Sequence, residues 1–101
     1  MSTDVEVVID EKIERIVREP SKFNVIMLND DQTPIDWVMG ILKEIFRHSD
    51  ADAEALTMKI HNEESAVVGT YLYEIAEQKG IEATNASRNQ GFPLVLKVEI
   101  A

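Results

Sequence analysis

The stretch "NDDQTPIDWV", Asn29 to Val38, sets an amide and two adjacent carboxylates ahead of a run that turns apolar. Two kinds of work suit those residues. In the first, Asn29, Asp30 and Asp31 shape a turn and Thr33 starts a helix, its hydroxyl as cap, Pro34 at the first helical position and Asp36 near the positive helix end. In the second, the same oxygen acceptors hold a cation at the mouth of an apolar pocket. Adjacent carboxylates on an extended loop point apart, which is poor geometry for an acid/base pair. The alternate-residue acidic spacing of a calcium loop is also missing.

His48 and His61 each fall at the end of an expected helix, where an imidazolium meets the negative end of the dipole. No second histidine stands at zinc-ligand spacing. The chain has no cysteine, hence no disulfide, thiolate metal site or cysteine nucleophile. There is no G-x-S-x-G and no Gly-rich phosphate loop. The sequence therefore offers no catalytic residue, no metal site and no cofactor; a hydrolase would have to rely on Asp30 and His61 alone.

Nineteen acidic against ten basic residues give a net charge of −9. Such a field repels nucleic-acid phosphates and anionic lipid, and favours a cationic ligand or a partner with a basic patch. At 101 residues with 45% hydrophobic and 29% charged side chains, the chain suits one globular domain with one modest core. The acidic opening "MSTDVEVVID" lacks the basic leader and apolar core of a secretory signal, and no apolar run approaches the roughly 20 residues of a membrane span. A monomer in the cytoplasm is expected.

The positioning elements follow from periodicity. Residues 1–20 carry dense mixed charge and a sparse apolar stripe, and are expected to form a flexible arm ahead of a core domain at 21–101. "KFNVIML" (Lys22 to Leu28) reads as a buried strand. Val38, Ile41, Leu42 and Ile45, joined by Ile35 and Phe46, make the inner face of a first helix. Ser49, with Asp52 three residues on, starts a second helix ending near His61, and the "NEE" turn leads into a short strand at Ser65 to Gly69. "YLYEIAEQK" (Tyr71 to Lys79) begins a third helix that Gly80 weakens and Gly91 stops. "PLVLKVEI" alternates as a last strand, with Leu94, Leu96, Val98 and Ile100 on one face. The order predicts an α+β fold: a compact two-layer β-α-α-β-α-β domain whose three-stranded antiparallel sheet is covered by helices.

Four blocks in register, "NDDQTPIDWV", the isolated His61, "YEIAEQK" and "FPL", resemble the ClpS adaptor family from about Pro20 to the C-terminus. The resemblance implies a non-enzymatic adaptor that binds N-degron substrates and delivers them to a ClpA or ClpC type AAA+ unfoldase for ClpP degradation. It places Asn29, Asp30 and His61 around the substrate's free α-amino group, with Asp31 and Thr33 in the adjoining loop. Ile35, Val38, Thr57, Ile60 and Leu94 fall where the family lines its side-chain pocket, which prefers Leu, Phe, Tyr and Trp. Glu74 and Lys79 match the face that docks on the unfoldase, and the arm resembles the extension that engages it. Ile35 and Thr57 replace common methionines, so Thr57 is expected to shorten one wall and add a hydroxyl. The alternative is a general interaction domain of the ribosomal-stalk C-terminal type, in which the first loop is only a helix cap.

Overall fold

The computed structural model describes residues 21–101, so the arm expected at 1–20 lies outside the described residues. Its elements are β1 (Lys22–Leu28), α1 (Ile35–Glu44), α2 (Asp50–Glu63), β2 (Ser65–Leu72), α3 (Tyr73–Asn89) and β3 (Leu96–Ile100). The strands form one antiparallel sheet in the order β2-β1-β3, with Val25 opposite Gly69 on one side and Val98 on the other. The β-α-α-β-α-β order and the α+β class are those predicted.

Alternation along β1 sends Val25 and Met27 into the core, both fully buried. Val38, Ile41 and Leu42 of α1, Ala53 and Ile60 of α2, and Ala66 and Val68 of β2 meet them there. A bulge accounts for Val68: Ile26 pairs with Val67 but Val25 with Gly69, so Val68 is the extra residue and turns inward. His48 Nε2 donates to the Val68 carbonyl, tying the segment after α1 to that bulge. The ring of Tyr71 lies over Gly69, where an added Cβ would overlap it.

Several local expectations give way to tertiary contacts. Thr33 does not cap α1: Pro34 is the N-cap, no side chain caps it, and the Thr33 hydroxyl is taken by Asp30. Ile35 is 56% exposed and leaves the core stripe it was assigned to. Ser49 does cap α2, accepting from the Asp52 N–H at 3.1 Å. That helix runs past His61 through the expected turn, and the left-handed Glu64 (φ 74°) ends it. Tyr71 and Leu72 belong to β2 rather than to a helix, because they pair with Phe23 and Lys22.

Gly80 does not weaken α3. Ala76, Gly80, Ala83 and Ser87, all buried, form a small-residue stripe that lets this helix lie closely across all three strands. Burial outweighs glycine's low propensity. The predicted stop at Gly91 holds: it adopts φ +81° and donates to the Arg88 carbonyl, while Phe92 N–H reaches Ser87 C=O at 2.9 Å. That pair of bonds is a Schellman termination. β3 begins only at Leu96; Leu94 precedes the sheet and is 1% exposed.

Candidate functional site

Backbone hydrogen bonds from the end of β1 bring three distant segments together. Leu28 N–H donates to the Val95 carbonyl at 3.0 Å, and Asn29 N–H to the Glu64 carbonyl at 2.9 Å. The loop after β1 is thereby sewn to the approach to β3 on one side and to the end of α2 on the other. Between them lies a cavity of about 210 Å³ lined by Leu28, by Asn29, Asp30, Asp31, Thr33, Ile35 and Val38 of the loop and α1, by Thr57, Ile60 and His61 of α2, and by Leu94. Every residue the sequence placed at the amine site, binding loop or side-chain pocket lies on this one surface. Leu28 was missed because its strand position reads as core; its place beside Asn29 was the available signal.

Burial divides the lining. Val38, Thr57, Ile60 and Leu94 are buried and form an apolar base, while Asp31, His61 and Ile35 stand exposed at the mouth with half-buried Asn29 and Asp30. The spacing of Thr57, Ile60 and His61 brings all three to the cavity, since residues three and four apart share a helix face. Thr57 donates its hydroxyl proton to the Ala53 carbonyl at 2.7 Å. Its oxygen thus keeps only acceptor capacity, which narrows what the expected extra hydroxyl offers the wall.

The two adjacent carboxylates are employed differently. Asp30 Oδ1 accepts from the backbone N–H groups of Gln32 (2.8 Å) and Thr33 (2.7 Å), and Oδ2 accepts from the Thr33 hydroxyl (2.7 Å). Burial pushes the Asp30 carboxyl up, but the Thr33 hydroxyl and the two N–H groups outweigh it and hold the pKa below its ordinary value. Asp31, one residue on, is exposed and accepts no hydrogen bond from another described residue. Asp30 organises the loop and keeps its charge; Asp31 leaves its oxygens to solvent at the mouth.

Glu74 and Lys79 lie on α3 and do not line this cavity. Glu74 is exposed, beside a shallow recess of Ser21, Phe23, Leu72, Tyr73 and Ile75. Lys79 turns inward: its ammonium donates to the Ile45 carbonyl at 2.7 Å and lies 5.4 Å from the centre of the Tyr71 ring. It satisfies a carbonyl that the end of α1 leaves open. Among the described residues, no group of three or more His, Cys, Asp or Glu side chains is placed to hold a metal, and no helix is long and apolar enough to cross a membrane.

Fold and cavity together define a small α+β domain with a hollow that is polar at the lip and apolar at the base. Residues 18–97 match the family model described as ATP-dependent Clp protease adaptor protein ClpS. The ClpS adapter of Treponema denticola is 46% identical over 81 residues, 80% of each chain. That of Helicobacter hepaticus is 39% identical over 82 residues, 81% of this chain and 83% of the relative. The solved structure of Agrobacterium tumefaciens ClpS2 bound to L-phenylalaninamide superposes with a TM-score of 0.80 at 38% identity, covering 82% of this chain and all of that one. The chain belongs to the ClpS family of Clp protease adaptor proteins. The ribosomal-stalk alternative is not favoured.

Proposed function

We propose that this adaptor captures polypeptides by a free N-terminal amine together with a bulky apolar first side chain, Leu, Phe, Tyr or Trp, and hands them to an unfoldase of ClpA or ClpC type in the cytoplasm without catalysing any reaction. The observation that carries the reading is the lining of one cavity by Asn29, Asp30, Asp31 and His61 over Val38, Thr57, Ile60 and Leu94. The solved relative's ligand, phenylalaninamide, pairs an amine with a phenyl group.

An ammonium carries three donors and a full charge, so it needs acceptors rather than a greasy wall. Asn29 Oδ1, an unprotonated His61 nitrogen and the Asp31 carboxylate are such acceptors, directly or through water. Asp30, assigned by resemblance to the amine, holds the loop through three hydrogen bonds and adds its negative charge from behind. The cavity's 210 Å³ is below the roughly 300–1,000 Å³ of drug-sized sites, which suits a single side chain.

Charge-assisted hydrogen bonds of about 1.5–3 kcal/mol each, with about 1.5–3 kcal/mol from burying one Leu or Phe side chain, work against an association cost of about 4–15 kcal/mol. At the favourable end of these ranges the balance is about −8 kcal/mol, a micromolar affinity suited to release at the next machine. Acetylation removes the cation and leaves the acceptors without a partner, so specificity for a free terminus arises from mismatch. The exposed Glu74 face is the proposed contact with the unfoldase, and residues 1–20 the extension that engages it.

Titrating phenylalaninamide into isotope-labelled protein and following backbone amide resonances tests this directly. Saturable shifts confined to the loop at 29–35, the end of α2 and Leu94 support the reading; shifts at the Glu74 recess instead contradict it.

A further inference from the structure

Leu94, the least exposed residue of the cavity lining, sits between α3 and β3 in a stretch with no regular structure of its own. Its position therefore depends on what holds its neighbours. On one side, Phe92 N–H is bound by the Ser87 carbonyl, and the Arg88 guanidinium donates to the Leu94 carbonyl at 3.2 Å. Ile35 and Val38, which also line the cavity, belong to the first turn of α1, and Trp37 stands between them in sequence without lining it.

Trp37 leads to the same anchor. Its Nε1–H donates to Ser87 Oγ at 2.9 Å, across fifty positions of sequence, and its ring meets Phe92 edge-on at 5.5 Å and 61°. Ser87 is fully buried and passes its own proton to the Ala83 carbonyl at 2.8 Å, so its oxygen is committed as donor and acceptor at once. One residue thus holds both walls: its carbonyl fixes the Phe92–Leu94 segment and its hydroxyl fixes the turn that carries Ile35 and Val38.

We infer that the Trp37–Ser87 hydrogen bond is a positioning device that sets the distance between the Leu94 wall and the Ile35–Val38 wall, and so selects which first side chain the cavity accepts. The inference rests on the proposed reading of the cavity as the seat of an N-terminal side chain. Neither residue touches the ligand; both act through the width of the hollow. Cutting the bond frees the α1 turn to move away from Leu94, which favours a large aromatic side chain over a smaller branched one. Recognition of the amine, made by the lip of the cavity, is left alone.

The experiment uses the full chain with Ser87→Ala, Trp37→Phe and the double variant, all checked for folding by circular dichroism. Ser87→Ala places a good helix former within α3 and so remains usable if Trp37→Phe fails to fold. Affinities for otherwise identical Trp-initiated and Leu-initiated peptides are measured with free and acetylated termini, and Leu94 methyl resonances are recorded without ligand. Each single variant should raise the Trp-to-Leu affinity ratio about threefold or more, a fraction of the discrimination a methylene can give. The double variant should go no further than either single, and the preference for a free terminus should persist. Unchanged ratios in both singles, or additive effects in the double, overturn the inference. If the native chain binds no peptide, the reading of the cavity fails, and the methyl spectra still decide this one: Leu94 resonances moved alike in both singles and the double support the linkage, and native resonances overturn it.

Discussion

Asp30 and Thr33 are joined twice, by the Thr33 N–H to Oδ1 and the Thr33 hydroxyl to Oδ2, each at 2.7 Å. This pairing spends the hydroxyl that would otherwise cap α1 and turns the loop so that Asp31 faces solvent at the mouth. Thr33→Val keeps the shape and removes the second bond. It should destabilise the fold by about 1.5–3 kcal/mol, the usual net contribution of a hydrogen bond to a charged group. Asp30→Ala removes all three and should cost more, while Asp31→Asn should leave the melting temperature unchanged and weaken an amine-bearing peptide about tenfold or more. Thermal unfolding beside peptide titration separates these outcomes; equal melting losses for Asp30→Ala and Asp31→Asn would contradict the division of labour.

The lowered Asp30 pKa gives a pH dependence of defined sign. A carboxyl whose folded pKa lies below its unfolded value stabilises above the unfolded value, and that contribution disappears as pH falls through the depressed folded one. The loop should therefore stay intact down to the ordinary carboxylate value of 3.8 and loosen only below it. Peptide binding should in addition fade above the peptide's own α-amine pKa of about 7.7–8.0, as the ammonium is lost. Amide exchange at Gln32 and Thr33 against pH reads the first limb and affinity reads the second. Loosening that begins well above 3.8 would contradict the cause given for the shift.

Lys79→Met keeps the aliphatic stem and deletes the ammonium held by the Ile45 carbonyl. A lost hydrogen bond from a charged donor at a half-buried helix end should cost about 1.5–3 kcal/mol in urea unfolding. A variant of native stability that fails only in unfoldase binding would instead assign Lys79 to docking.

Thr57→Met lengthens the wall that threonine keeps short. Because Thr57 is buried and lines the base, the added atoms must enter the cavity. Trp-initiated peptides should then lose about tenfold in affinity or more, and Leu-initiated peptides much less. Parallel loss for both would place the wall elsewhere.

Much of this molecule is legible in its sequence because local signals agree with tertiary ones. Ser49, the alternation of β1 and the glycine at position 91 act as their types dictate. The failures occur where a distant partner decides. Nothing local says that Asp30 takes the Thr33 hydroxyl, that Gly80 will be buried under the sheet, or that Tyr71 pairs with Phe23 and so stays in β2. Among the site residues, the types and order of Asn29, Asp30, Asp31 and His61 were readable. Which carboxylate is tied and which stands open depends on hydrogen-bond geometry alone.

Fluorescence anisotropy of one labelled Phe-initiated peptide, with its terminus free and then acetylated, bears most directly on the central claim that amine and side chain are sensed together. The account predicts micromolar binding of the free peptide and at least about a hundredfold loss on acetylation, the expected scale when several acceptors at the mouth lose a charged partner together. Equal affinity for the two peptides would contradict it.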